Sequence, residues 1–507
     1  VRRACAAALA VLLAAGCSAG GGGPSSAPPP SPSARPGDLG VRYDVNDPTV
    51  SVRLVSLDRM VGKVVVARFV LRDDDDRRLS VHRGGAWAGP DGFGDRVDGD
   101  AMSGISVLDG ASLRRSYPLT GTDGRCLCTG FGLASFDVPA RGEREVAAVL
   151  PAPPPGTARL DVLFPNAAPF LDVPLRDVPA GPVALGDRTL DPSAAAVAEP
   201  VTVPVTSTVE DDAASEDDDG ADLRVNLSTD VLFAVDEADL TPAARAVLRR
   251  TAQRIDQSAG PLVRIDGHAD STGDDAVNEP LSRRRAEAVE RALKDLVTRA
   301  DVRFRAAGHG SREPVASNGT ADGRRRNRRV TVTFRRPAPP PASAPAPAAS
   351  GDGRRETLPR PVLARAPVTG SPSFLPRSGF TWPKRGEAAV HALRRDANGY
   401  AALVWTIRDD DPDTGYDPRA GLSVTDQGKY GQNGPYAVRL RFDGKASRAL
   451  HTEFETLGPQ YGTAVASPVL RAGESLVAWA MFRVPSDVSS VTVDIPGFKS
   501  MDGVPVS

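Results

Sequence analysis

Three stretches that cannot bury a core divide the chain, and they limit what the remainder can fold into. Residues 18–38 are glycine, serine, alanine and proline apart from Arg35 and Asp38, with no large apolar side chain. Such composition cannot repay the entropy of ordering and gives a flexible tether. Residues 181–222 end in the acidic run EDDAASEDDDGAD, Glu210–Asp222. Like charges at that density predict a solvated, self-repelling linker, because a calcium loop needs alternating ligands and a closing glutamate. Residues 337–379 open on a Pro/Ala-rich run. A chain of 507 residues exceeds one compact domain. The expected folded units are therefore 39–180, 223–336 and 380–507.

The first residues predict export. Arg2 and Arg3 precede an apolar run, Ala4–Ala15, too short to span a membrane as a mature helix. A signal peptide is expected over 1–16. The closing LAAGC resembles the lipobox of bacterial lipoproteins, which implies cleavage before Cys17 and lipid, palmitate included, on that cysteine; 17–38 would then be a lipidated tether. A plain secretory signal cut near Ala19 is the alternative. The location implied is the cell envelope, on the extracytoplasmic side of the cell membrane, or else an outer membrane facing a periplasm. In that oxidising setting Cys126 and Cys128, in GRCLCTG, are expected to be structural disulfide cysteines. Bonding to each other requires a tight turn, which Gly124 and Gly130 permit.

The two flanking units match each other in order. VVVARFVLRDDDD (64–76) parallels AALVWTIRDDDPD (401–413), GISVLD (104–109) parallels GLSVTD (421–426), and 141–165 parallels 472–496. The shared order indicates duplication. Each copy alternates apolar and polar residues in short runs broken by Gly, Pro and Asp, the pattern of an antiparallel, immunoglobulin-like all-β sandwich. Neither copy holds a persuasive catalytic set; a Cys126 nucleophile with His82 is the least poor. The recurring aspartates after Arg72 and Arg408 read as polar turns before they read as calcium ligands.

Residues 223–336 differ. Strand-like runs LRVNLSTDVLF, LVRIDGHA, VRFRAAG and RRVTVTF alternate with helical TPAARAVLRRTAQRI, capped by Thr241, and LSRRRAEAVERALKDL. This is a βαβαβ-type sheet with helices on one face. In the second helix Leu281, Val289, Ala292 and Leu296 form one stripe with Arg285 in its middle, while Arg283 and Arg284 fall outside it. Placed in about the first turn of that helix, Arg285 would sit where anions are favoured. A guanidinium turned toward a sheet needs an anion, and Asp270 ends the preceding strand. The pair either closes on itself as a salt bridge or grips a zwitterion, the aspartate taking an ammonium and the arginine a carboxylate.

VLFAVDEADLTPAA, GHADSTG, NEPLSRRRAEAV and NGTADGRRRNRRVTV resemble, in order and spacing, the OmpA-like peptidoglycan-binding domain shared by OmpA, peptidoglycan-associated lipoproteins and flagellar stator proteins. The resemblance covers nearly all of 223–336. It implies that Asp270 and Arg285 bind the free amino-acid end of diaminopimelate in a stem peptide, with Asp236, Asn278 and Arg329 lining the pocket. Ala234, Val235 and Ala269 depart from the family pattern. The family implies no metal, and His268 and His309 have no third ligand at metal spacing. A net charge of −2 gives no overall basic excess, and GRRRNRRVTVTFRR lacks the interleaved aromatics of a nucleic-acid surface. Its remaining arginines suit phosphates of wall or lipid. The expected protein is no enzyme and takes no cofactor. It tethers peptidoglycan to a lipid-anchored chain, with an unidentified envelope protein as a further partner. The alternatives are a wall enzyme or a stator-like signalling protein that uses the middle unit for targeting.

Overall fold

The computed structural model describes residues 39–60, 64–82, 101–130, 135–192, 194–337, 356–370, 384–412, 437–452 and 470–507. The expected signal peptide, the expected lipidation at Cys17 and the expected tether lie outside them. The first flank is two antiparallel sheets packed face to face. One orders the strands Gly40–Tyr43, Val50–Met60, Val64–Asp73 and Glu143–Pro151, with Arg176–Val178 added in parallel to Val50–Met60. The other orders Phe170–Pro174, Arg159–Leu163, Ser106–Asp109, Arg114–Ser116 and Thr202–Pro204. Between them Val52, Leu54, Phe69, Val107, Val162 and Phe170 close a core; each such side chain contributes about 1.5–3 kcal/mol on burial.

The second flank repeats the arrangement. Ala364–Pro367, Gly386–Arg395, Tyr400–Asp409 and Ser475–Arg483 form its first sheet. The strands matched in sequence, Val64–Asp73 and Tyr400–Asp409, occupy the same interior place, and both face a bulged neighbour, at Leu54/Ser56 and at Val390/Ala392. The shared Arg-Asp-Asp-Asp motif folds the same way twice. Asp73 Oδ1 accepts from Asp75 N at 2.9 Å and Asp409 Oδ1 from Asp411 N at 2.8 Å. Arg72 meets Asp74 and Arg408 meets Asp410 in the same register. These aspartates build turns. The second flank begins earlier than expected, since Ala364–Pro367 within 337–379 is one of its strands.

The stretch expected as an acidic linker is folded. Val183–Leu185 and Arg188–Leu190 form a hairpin against the first flank, and Thr202–Pro204 joins that flank's second sheet. Ser207–Glu210 and Ala214–Asp218 then enter a ten-stranded sheet that runs from the middle unit into the second flank. Two facts overturn the repulsion argument. Asp211 and Asp219 are turn residues whose carboxylates accept from backbone N–H groups two and three residues on. The strand acids face arginines from elsewhere: Glu210 meets Arg448 at 2.7 Å, Glu216 meets Arg254 at 3.0 Å and Asp218 meets Arg336 at 3.0 Å.

In the middle unit the sheet order is Arg303–Gly308, Leu262–Gly267, Arg329–Arg335 and Asp222–Ser228, with the first two parallel and the rest antiparallel. The helices Ala244–Asp256 and Asp275–Leu296 bury Val247, Leu248, Ile255, Val289 and Leu293 against Val263, Ile265, Val330, Val332 and Phe334. The first helix has Ala243 and not the expected Thr241 at its N-cap, though Thr241 Oγ1 accepts from Ala244 N at 3.2 Å across the turn that leads into it. The flanks also meet: Leu108, Leu163 and Leu171 of the first share an apolar cluster with Tyr400, Val404, Trp479 and Met481 of the second.

Candidate binding site

The strand Leu262–Gly267 and the long helix approach each other at Gly267, where a Cβ would lie 2.1 Å from Ser282 O. That closeness brings the strand's far end, with Asp270, beside the helix. Asp270 is buried; Oδ1 accepts from Thr272 N at 2.8 Å and Oδ2 from Arg328 Nη1 at 2.8 Å. Burial pushes its carboxyl up, but these bonds outweigh burial and hold it below its ordinary value. Arg328 also clasps Asp230 through Nε and Nη2, at 2.8 and 2.6 Å.

Arg285 faces inward, as helical phase predicts, and is 8% exposed. Its Nε donates to Glu237 O at 2.9 Å and its guanidinium lies 5.3 Å from the centroid of the Phe233 ring. No carboxylate lies within 4 Å of it among the described residues, so the closed Asp270–Arg285 bridge is not formed. Nη1 and Nη2 have no protein acceptor there, yet they are not sealed from solvent. Burial pulls its basicity down, Asp236 and Asp230 partly restore it, and Arg328 and Arg284 add repulsion. This is a recessed cation whose two outer nitrogens await an acceptor.

The other expected residues take different stations. Asp236 is exposed, at a positive φ of 59°, and is the first charge to support Arg285. Asn278 is a brace: its Nδ2 donates to Thr272 O at 2.9 Å and fixes the Asp270 loop. Arg329 is not beside Asp270. Its Nε donates to Thr331 Oγ1 at 3.2 Å on the opposite sheet face. Arg328 is the residue that sequence reading passed over. Strand alternation holds the clue: 328 shares its parity with core-facing Val330, Val332 and Phe334, and 329 does not. The helix also starts sooner than expected, at Asp275 with Asp274 as N-cap accepting from Val277 N at 3.0 Å. Pro280 lies inside it. Arg285 therefore sits about 15 Å along the axis and draws nothing from the helix terminus.

His268 and His309 stack at 5.0 Å between ring centroids. Burial, then Arg329, then His309 lower His268 to about 3, so it is neutral at any physiological pH. His309 bonds Asp266 at 3.0 Å and Glu313 at 3.1 Å. Among the described residues no three such groups are placed to hold a metal. Cys126 and Cys128 are joined to each other, with Cα atoms 5.2 Å apart. The bond removes Cys126 as a nucleophile for the enzyme alternative.

Residues 232–328 match the OmpA family. YfiB of Escherichia coli (strain K12) is 35% identical over 118 residues, which are 23% of this chain and 72% of that protein. The outer-membrane lipoprotein YfiB of Pseudomonas aeruginosa is 36% identical over 107 residues, 21% of this chain and 62% of that one. The peptidoglycan-binding protein ArfA of Mycobacterium tuberculosis (strain H37Rv) is 37% identical over 102 residues, 20% of this chain and 31% of its own length. Of other relatives the chain spans between 30% and 52% of their length.

Proposed function

The chain belongs to the OmpA family, and on that premise we propose that its Asp270–Arg285 pocket binds peptidoglycan noncovalently through the free amino-acid end of a diaminopimelate stem peptide. One observation carries the reading: Arg285 is recessed, has no carboxylate partner among the described residues and keeps two nitrogens open, while Asp270 is held ionised by Arg328, whose charge also reaches Arg285. A zwitterion satisfies both. Its carboxylate takes the outer nitrogens of Arg285, and its ammonium takes free lone pairs of Asp270, which the donors from Arg328 and Thr272 do not exhaust. Phe233 walls the guanidinium, and Arg328 keeps Asp270 charged and aimed. No bond is made or broken, so the protein is a binder and not an enzyme. The lipoprotein and peptidoglycan-binding names of relatives support a cell-envelope location. Lipid on Cys17 would make the chain a link between membrane and wall. The two sandwiches, read as immunoglobulin-like modules, would hold the pocket at a set distance from the tether and offer surface to an envelope partner.

Sedimentation with purified peptidoglycan tests this. Wild type should pellet with diaminopimelate-type wall, and free diaminopimelate should release it. Asp270→Ala and Arg285→Ala should stay in the supernatant while keeping the wild-type circular dichroism. Folded variants that pellet as wild type does would sink the proposal.

A further inference from the structure

The sheet face opposite the helices forms a trough that the peptidoglycan pocket does not use. Its cavity volume is about 1000 Å³, at the upper end for ligand sites. The floor is a ladder of polar side chains across four strands. Thr208 Oγ1 donates to Asp217 Oδ1 at 2.7 Å, Asn226 Nδ2 to Asp217 Oδ2 at 2.7 Å, Thr331 Oγ1 to Asn226 Oδ1 at 2.9 Å, and Arg329 Nε to Thr331 Oγ1 at 3.2 Å. His268, buried and with no partner for Nδ1 among the described residues, lines the same trough.

One part of the wall has more cations than anions. Arg325 and Arg326, on the short helix Ala321–Asn327, share Asp322 at 2.7 and 3.3 Å. Across from them Arg439 and Arg448, from the second flank, share Glu210 at 3.8 and 2.7 Å. Four guanidinium groups thus face two carboxylates, an excess of two positive charges. Arg439 is the least matched: its contact to Glu210 is long, and burial followed by the charges of Arg448 and Arg326 lowers its basicity. A cation cluster of buried Arg448 and partly exposed Arg325, Arg326 and Arg439, above a floor of hydroxyl, amide and carboxylate groups, suits a ligand with both phosphates and hydroxyls.

We propose that this trough binds a soluble phosphodiester-linked polyol chain, its phosphates on Arg439 and Arg326 and its hydroxyls on the Asp217–Asn226–Thr331 ladder. The recessed shape favours a chain over a flat membrane surface. Arg328 lines the trough's edge as well as meeting Asp270, but the proposed contacts do not use it, and the site does not depend on the peptidoglycan reading.

The test is calorimetric titration of the full chain with synthetic oligo(glycerol phosphate), with inorganic phosphate and phosphatidylglycerol vesicles as parallel probes. Wild type should bind the oligomer saturably, and affinity should fall as salt rises. Arg439→Gln and Arg326→Gln should each weaken it by about tenfold or more. Arg439→Lys, which keeps the charge, should retain part of the affinity and thus separates loss of the site from loss of the fold. Asp270→Ala should leave it unchanged. No binding to the oligomer, binding only to vesicles, or undiminished affinity in both folded Gln variants would overturn the proposal.

Discussion

Where the two flanks meet, Asp161 of the first and Asp396 of the second are buried side by side, 3% and 5% exposed. Asp161 Oδ1 accepts from Asp172 N at 2.8 Å, and Oδ2 has no N–H or hydroxyl donor among the described residues. The two carboxyls are electrostatically linked, the Asp396 charge adding to the burial that disfavours ionised Asp161. Burial, chiefly, pushes Asp396 from 3.8 to about 6, against the bond from Tyr400 N; burial and the Asp396 charge push Asp161 up too. The sign follows from linkage. Between these values the folded chain binds more protons than the unfolded one, so stability falls as pH rises from about 4 to about 6 and stays reduced above. At about 1.4 kcal/mol per pH unit, Asp396 alone accounts for about 3 kcal/mol. Asp396→Asn supplies the hydrogen without the charge. Relative to wild type, its flank transition should gain about 3 kcal/mol between pH 4 and pH 7.5, about 6–12 °C in Tm for units of this size. Thermal denaturation across that range measures it, and the difference cancels carboxylates elsewhere. Parallel curves for the two proteins, or an Asn variant less stable at pH 7.5, would refute the raised proton affinity of Asp396.

Arg328→Gln removes the donor that keeps Asp270 ionised; the Asp270 carboxyl should titrate at a higher pH by NMR, and the fold should lose about 1–2 kcal/mol, discounted for the partly exposed guanidinium. Gly267→Ala places a methyl 2.1 Å from Ser282 O, and should cost about 2–3 kcal/mol in denaturant titration while weakening peptidoglycan pelleting. Glu210→Gln leaves the buried Arg448 without its carboxylate at 2.7 Å, and should destabilise the second flank by about 2–4 kcal/mol by differential scanning calorimetry; a solvated linker would lose nothing. Replacing Cys126 and Cys128 together by Ser should lower stability by no more than about 2 kcal/mol, because the bond closes a very short loop.

What could be read from residues alone was local. Helical phase separated Arg285 from Arg283 and Arg284 because a helix fixes facing over a few residues. The repeated Arg-Asp-Asp-Asp turns emerged for the same reason. The failures share a different cause. The second helix was expected from Leu281 but begins at Asp275, since one missing N–H at Pro280 is tolerable near an N-terminus where Asp274 already caps the turn. Arg329 was preferred to Arg328 because the parity that 328 shares with Val330, Val332 and Phe334 went unused, and pairing with Asp222–Ser228 and Leu262–Gly267 makes that parity structural.

The acidic run shows most clearly where local reading stops. Its partners Arg254, Arg336 and Arg448 come from a helix, a strand end and the second flank, and Arg448 is 238 residues from Glu210. Charge density along the sequence measures repulsion within the run and is blind to such partners. The consequence reaches beyond a boundary. Because the run is a strand pair, the OmpA-family sheet continues into the second flank, and the flanks close on each other through Leu163, Tyr400 and Trp479. A binding domain between two flexible linkers would move independently of its neighbours. Here the trough beneath its sheet is built from both, so whatever occupies that trough also holds the second flank against the domain that carries Asp270 and Arg285.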